Sequence, residues 1–429
     1  MKICVMGLGY IGLPTAVMFA SYGNNVIGVD VKPEIIEMLN NGKLHIEEPG
    51  LEDLLKESVK KKKFKAISEP DKADVFMITV PTPNLDDLYM SCDLTYVLDA
   101  CRAIIPHLRS GNTVIIESTI APRSMDDYIG PLFQAAGYKI GEDIFLAHCP
   151  ERVLPGQILT ELVYNNRIVG GLTSNCTEAA AKVYAQFVKG EIIKTEAKTA
   201  EMSKCMENTF RDVNIALANE LTKVCYDLKI NVLDVIDMAN KHPRVNIHSP
   251  GPGVGGHCLA VDPYFISAKS PDNSKIIQLA RETNSGMPTF VVDVVKKLLE
   301  SIENPKIAIL GMAYKGNVDD MRESPALKVA QILEQWECEI AIHDPHIRLE
   351  SFLSFEDAIT GADLILVLTD HNEFKELDEF VIVNRMRTPQ IFDTKNIIRL
   401  KESVGIEVYN FGNINDRNIT RRYEHISSS

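Results

Sequence analysis

The stretch KICVMGLGYIGLP, residues 2–14, sets Gly7, Gly9 and Gly12 between an apolar run and the start of an amphipathic one. That pattern predicts a strand turning tightly into a helix. Its glycines permit the turn, the close approach of backbone to a pyrophosphate, and close helix packing, with the helix N-terminus facing the negative charge. By itself GxGxxG also fits a turn with no ligand. Here NNVIGVD, residues 24–30, supplies a second strand ending in Asp30. A carboxylate at that distance holds the adenosine ribose hydroxyls and repels a ribose phosphate, which favours NAD over NADP. Gly7, Gly9, Tyr10, Ile11, Gly12 and Asp30 form the first part of a candidate cofactor set.

Further along, ADVFMITVP, GNTVIIEST and DIFLAHCP continue the series of short, β-rich apolar runs. With helices expected at Ile11–Tyr22 and Asp93–Leu108 between them, they read as buried parallel strands of a doubly wound α/β sheet. The segments VPTP (80–83), EST (117–119) and CPER (149–152) follow strands, at the carboxyl edge where such a sheet binds its ligand. Each taken alone is as well explained by loop chemistry. Glu151 is a possible acid/base group, although the ordinary reading of a lone glutamate is a surface residue.

From Lys198 to Leu228 the chain has no Gly or Pro, and apolar residues recur at helical spacing. One helix of that length would span about 45 Å and needs partners along it. Met202, Met206, Phe210, Leu217, Leu221 and Val224 form its apolar set, which suits either intrachain core or the seam of a homodimer or higher homo-oligomer. Lys204 and Asn208 lie four apart on one face, pointing to a polar cavity or simply to solvent.

The α/β pattern restarts with PKIAILGMAYK, followed by Ser324-Pro325 as a helix cap and first helical residue, then CEIAIHDP and ADLILVLTDH as strands. The expected fold is therefore α/β, two Rossmann-like doubly wound domains joined by a long central helix. The expected boundaries are 1–197 for an NAD-binding domain, 198–301 for a helical middle, and 302–429 for a second Rossmann-like domain, with a ligand cleft between the two α/β parts. The polar tail ending ISSS is expected to lack fixed structure.

Bulk properties narrow the classes. A chain of 429 residues with 45% hydrophobic and 24% charged residues is globular, and no apolar run is long enough to cross a bilayer. A formal charge of -14 argues against nucleic acid as a partner. Nine cysteines without CxxC pairs suggest thiols in a reducing, cytoplasmic compartment.

In GPGVGGHCLAVDP, residues 251–263, glycines allow a sharp bend that would bring backbone amides near a ligand, with Cys258 and Asp262 just beyond. If HCLAVDPYF begins a helix, the two share a face and the helix N-terminus favours thiolate. The competing reading is a buried structural cysteine. No metal is expected, because adjacent His257 and Cys258 lack a second pair of ligands.

Taken in order, GLGYIGLPTA, VPTP, EST, CPER, KCMEN, GGHCLAVD and YKGNVDDMRESPAL resemble the UDP-glucose/GDP-mannose dehydrogenase superfamily over nearly the whole chain. The form GGHCLAVD is similar to the branch acting on UDP-N-acetylhexosamines. Ala260-Val261 departs from the GGxCLPKD pattern of the glucose and mannose enzymes, whose lysine has no counterpart here.

The resemblance implies NAD-dependent, four-electron oxidation of a UDP-N-acetylhexosamine at C6 to the carboxylate. UDP-N-acetyl-D-mannosamine is the first candidate and UDP-N-acetyl-D-glucosamine the alternative. It implies Cys258 as nucleophile, forming a thiohemiacetal and then a thioester, with Lys204 and Asn208 stabilising the alkoxide. Asp262 would orient water or deprotonate Lys204, Glu151 would act as base in thioester hydrolysis, and Thr119 would position the water. Pro81, Thr82, Thr119 and Arg322 complete the implied NAD contacts. Glu151, Arg152, Lys204, Asn208, Arg244, Gly255, His257 and Lys315 are the implied substrate contacts. A binding protein that senses NAD or a nucleotide sugar would need the glycine loop but not the covalent machinery, and a two-electron alcohol dehydrogenase would yield one NADH per turnover.

Overall fold

The structure is a computed structural model that describes residues 1–401 and 405–415. The tail ending ISSS lies outside the described residues. The chain divides into two compact units, Met1–Glu207 with Tyr264–Asn273, and Asn208–Pro263 with Ser274–Ser429.

The first unit is built on an eight-stranded sheet of β1 (Lys2–Met6), β2 (Asn25–Val29), β3 (Phe64–Ile67), β4 (Val75–Ile78), β5 (Thr113–Ile116), β6 (Phe145–His148), β7 (Arg167–Gly171) and β8 (Ile192–Glu196). Their order is β3-β2-β1-β4-β5-β6-β7-β8, so the chain reverses its direction of winding between β1 and β4. All pairs are parallel except β6 with β7. Strand alternation divides the apolar residues between two faces. Ile3 and Val5 join Leu13, Val17, Phe19 and Tyr184 in one core, whereas Cys4 and Met6 join Phe76, Val97, Cys101 and Ile104 in another. Both faces being covered explains why these strands read as continuous apolar runs.

The second unit carries, among its described residues, a five-stranded parallel sheet of β9 (Lys306–Leu310), β10 (Glu339–His343), β11 (Leu364–Val367), β12 (Gln390–Asp393) and β13 (Glu407–Asn410), in the order β10-β9-β11-β12-β13. Ile307 and Ile309 face one core, Ala308 and Leu310 the other. Ser324 caps the helix Pro325–Leu333 by accepting from the Ala326 N–H, with Pro325 at the first helical position, as its sequence signal predicts.

The long helix is present as Ala197–Leu228, 32 residues or about 48 Å. The division between units falls within it. Met202, Met206, Phe210, Leu217 and Val224 are exposed, Phe210 at 60%, and Leu221 is half-buried. Leu221 packs against the core around Ala218 and Cys225, and for the five exposed residues the reading as intrachain core is set aside. No helix among the described residues is long and apolar enough to cross a membrane.

Candidate active site

The first unit forms a dinucleotide cradle from the glycine turn. Gly7 has φ of 94°, in the left-handed region, and its N–H donates to the Val29 carbonyl at 2.8 Å. A Cβ at Gly12 would stand 2.0 Å from the Gly7 carbonyl oxygen and 2.3 Å from Thr79 Oγ1, so the helix Gly12–Ser21 can approach the strand ends only without a side chain there. A Cβ at Gly9 would meet nothing within 4 Å, which leaves that amide open on its outer side. The Leu8 N–H donates to Asp30 Oδ2 at 3.1 Å, fixing the half-buried carboxylate at the end of β2. Tyr10 is exposed and Ile11 half-buried beside this turn. A close-packed glycine, an open one and a fixed carboxylate together fit the pyrophosphate and ribose of NAD.

At the neighbouring strand ends, Thr82 Oγ1 donates to the Thr119 carbonyl at 2.6 Å and Ser118 Oγ to the Val80 carbonyl at 2.7 Å. The VPTP and EST loops, with Pro81, Thr82 and Thr119, are thus brought together. Arg123, just beyond, has φ of 70°, and the buried Glu201 carboxylate receives the N–H groups of Arg123 and Met125 at 2.6 and 2.8 Å.

Glu151 is buried, with 8% of its surface exposed, so the surface reading fails. One of its oxygens receives an Arg167 Nη2 bond at 2.9 Å, and the other receives the Arg152 N–H at 2.7 Å. Arg152 is turned toward Glu207, with Nη2 to Oε1 at 2.7 Å. Lys204 is half-buried on the long helix. Its charge adds to burial in pushing the His148 imidazole down to about 3.

In the second unit, Asn208 and Asp262, 54 residues apart in sequence, are both buried, and the Asn208 amide donates to Asp262 Oδ2 at 2.6 Å. Residues 257–261 form a turn, and the helix begins only at Asp262, running to Lys269. Cys258 therefore precedes the helix rather than opening it, although the Asp262 N–H already bonds to the Cys258 carbonyl at 2.9 Å. All nine cysteines are thiols, and of the nine Cys258 is the exposed one. The buried structural reading does not apply to it.

The glycines before Cys258 serve close packing inside the unit. A Cβ on Gly255 would stand 2.3 Å from the Glu323 carbonyl oxygen, and one on Gly256 would stand 2.7 Å from the Tyr314 ring. The thiol loop is thereby laid against the YKGN and ESP segments.

His257 Nε2 lies 3.1 Å from Asp320 Oδ2, and Arg322 grips the same carboxylate through Nε at 2.9 Å and Nη2 at 2.7 Å. His257 and Arg322 are thus joined through Asp320. Burial opposes ionisation of Asp320, but the Arg322 and His257 bonds hold it down at about 2. Lys315 is exposed in the loop after β9. Arg244 is exposed after the helix Val232–Asn240, where its backbone N–H donates to His242 Nδ1 at 3.3 Å.

Sequence reasoning left Arg167, Tyr184 and Asp320 without roles, and quoted Glu117 within EST without assigning it. The one signal for Asp320 is its place between two assigned residues in YKGNVDDMRESP.

The chain matches the NAD binding domain of the UDP-glucose/GDP-mannose dehydrogenase family over residues 1–188, its central domain over 198–286 and its UDP binding domain over 308–400. It is 47% identical over 425 residues to a UDP-N-acetyl-D-mannosamine dehydrogenase of Methanococcus vannielii, covering 96% of this chain and 97% of that one. A solved UDP-N-acetyl-mannosamine dehydrogenase of Staphylococcus aureus superposes with a TM-score of 0.90 at 53% identity, covering 96% of this chain and 99% of that one. An NDP-N-acetyl-D-galactosaminuronic acid dehydrogenase of Ralstonia nicotianae is 44% identical over 410 residues, 92% of this chain and 96% of its own. With the glycine cradle, the exposed thiol and likeness along nearly its whole length, the chain belongs to the UDP-glucose/GDP-mannose dehydrogenase family.

Proposed function

We propose that this chain oxidises UDP-N-acetyl-D-mannosamine at C6 to UDP-N-acetyl-D-mannosaminuronate, consuming two NAD and one water. The observation that carries the reading is Cys258, the exposed thiol among nine cysteines, set one helical turn before the buried Asn208–Asp262 pair. Bound NAD supplies an acceptor for the hydride that leaves C6 in each of two oxidations.

The chain's own groups do the rest. Lys204 and Asn208 stabilise the alkoxide as the C6 hydroxyl loses its proton, and Lys204 takes that proton with help from Asp262. Cys258 adds as thiolate to the aldehyde carbon. The tetrahedral carbon so formed again bears a transferable hydrogen, and its oxidation leaves a thioester. Glu151 accepts a proton from the water that attacks the thioester, which Thr119 positions. Arg152, Arg244, Gly255, His257 and Lys315 contact the nucleotide sugar, with Lys315 at its phosphates, and Arg322 contacts NAD.

A homodimer or higher homo-oligomer belongs to the same reading, supported by the exposed apolar residues of the helix Ala197–Leu228. A monomer by light scattering overturns it. Nine thiols support a cytoplasmic location.

The Ralstonia relative's name favours a second reading in which the N-acetylhexosamine differs in configuration. Assays with the UDP-linked N-acetyl derivatives of mannosamine, glucosamine and galactosamine side by side decide between them. Two NADH per acid from the first sugar is expected. One NADH per turnover with an aldehyde product removes the four-electron reading, and preference for another sugar removes the substrate.

A further inference from the structure

Behind Glu151 lies a buried cluster that the proposed reaction does not use. Arg167 Nη2 stands 2.5 Å from Glu117 Oε1 and 2.9 Å from Glu151 Oε2, so one nitrogen serves two carboxylates. The Tyr184 hydroxyl donates to the same Glu117 oxygen at 2.6 Å, and the guanidinium carbon lies 4.0 Å over the Tyr184 ring. All four side chains are more than nine-tenths buried.

The single antiparallel pair in the sheet creates this meeting. The register pairs Ala147 with Gly171 and His148 with Gly170. Carried three residues further, it sets Arg167 opposite Glu151, past the carboxyl edge of β6. A parallel β7 would have begun at the other edge.

We propose that Arg167 is the positioning residue for the hydrolytic half of the reaction, holding the Glu151 carboxylate in one orientation against a fixed positive charge, while Glu117 competes for the same guanidinium and tunes that hold. The inference rests on Glu151 as the hydrolytic base. In that step water adds to the thioester carbonyl carbon and its proton passes to Glu151. The C–S bond then breaks with its electron pair on Cys258 Sγ, leaving a thiolate and a carboxylic acid that gives its proton to solvent to become the carboxylate.

The charged and titratable groups facing Glu151 are Arg167 and Glu117, with Cys149 and Tyr184 behind them, and Arg152 turned to Glu207. Burial pushes the Glu117 carboxyl up against the pull of Arg167, and the Glu151 charge pushes it the same way.

The test compares Arg167→Lys, Glu117→Gln and Glu151→Gln in the full chain, with UDP-N-acetyl-D-mannosamine and NAD. It reads the NADH burst by stopped flow, the acyl-enzyme by intact mass, and thioester decay against pH. Arg167→Lys is expected to keep a burst of about two NADH per site while decay slows at least tenfold and acyl-enzyme accumulates. The acid limb of decay should move up by about one pH unit in Arg167→Lys and down in Glu117→Gln, because the first weakens and the second concentrates the cation on Glu151.

Loss of burst and decay together with an unmoved limb, or limbs moving the same way, overturns the inference. If Arg167→Lys fails to fold, the downward shift in Glu117→Gln alone decides, and its absence overturns the inference. Should Glu151→Gln accumulate acyl-enzyme while neither other variant alters decay, the inference falls and the base assignment stands. If Glu151→Gln accumulates none, the base assignment fails and the inference with it.

Discussion

Asp30 and Asp344 occupy the same place in the two sheets, one residue past β2 and β10, and each accepts a backbone N–H from the turn after the neighbouring strand. Leu8 donates to Asp30 at 3.1 Å and Met312 to Asp344 at 2.7 Å. Their remaining bonding differs. Asp344 is buried and also receives Ala313 N, His346 N, Ile347 N and His371 Nε2 at 2.9 to 3.2 Å. Burial opposes its ionisation, but the His371 bond and these N–H groups hold its carboxyl down at about 2. Asp30 is half-buried, and its other oxygen receives the Lys32 N–H at 3.0 Å. One carboxylate is spent on structure, and the other keeps capacity for a ligand.

Asp30→Ala should therefore weaken NAD binding about 10- to 100-fold, the worth of roughly 1.5–3 kcal/mol for bonds to a charged group, with little change in Tm. Asp344→Ala should lower Tm and leave the NAD Kd nearly unchanged below the transition. Calorimetric titration and thermal unfolding of both variants check the pair, and the opposite assignment of effects would refute it.

Gly9 and Gly12 should separate in the same way. Gly9→Ala adds a methyl group where nothing lies within 4 Å, so Tm should hold while NAD affinity falls. Gly12→Ala drives a methyl group against the Gly7 carbonyl and Thr79, a contact that only a backbone shift relieves, and should cost about 1–3 kcal/mol of stability. Equal loss of NAD affinity with equal Tm in both variants would contradict this geometry.

His148 sets an acid limit on stability. Its ring is buried, with Nδ1 donating to the Ile116 carbonyl at 3.0 Å, and burial pushes it down to about 3. A depressed histidine contributes stability that is fully present above the unfolded value near 6.5 and is lost as pH falls through the window to about 3. Over that window the loss approaches about 1.4 kcal/mol per pH unit. In His148→Met, Ile116 O keeps its bond from the Cys149 N–H at 2.9 Å. Urea midpoints at pH 7.5 and 5.5 should differ less in the variant than in the parent.

Cys258 should be alkylated by iodoacetamide before the other eight thiols, six of which are buried and two half-buried. Peptide mass mapping at partial labelling checks the order, and activity should fall in step with labelling at Cys258. Prior labelling elsewhere with equal loss would remove the thiol from the reaction.

Strands β1, β4, β5, β6, β9 and β11 were legible as continuous apolar runs because each lies inside its sheet with nearly all its residues buried, and β2 and β10 by their apolar residues despite partial exposure. Those that were not legible include edge and near-edge strands. β3 is FKAI after a run of lysines, and β8 is IIKTE with no residue buried. Their conformation comes from backbone pairing with neighbours, which leaves little trace in composition. The glycine turn, the cap at Ser324, the thiol and the long helix were local features and could be read locally.

What the residues determined by themselves was therefore the local chemistry: a turn shaped for a pyrophosphate, a carboxylate one strand later, and a thiol before a helix. What only the tertiary structure decided was which charges share a buried volume. Nothing in the order of residues separates Arg167 from any other arginine. It becomes the partner of Glu117 and Glu151 because β7 runs against β6, and a guanidinium held there out of water must find carboxylates within reach.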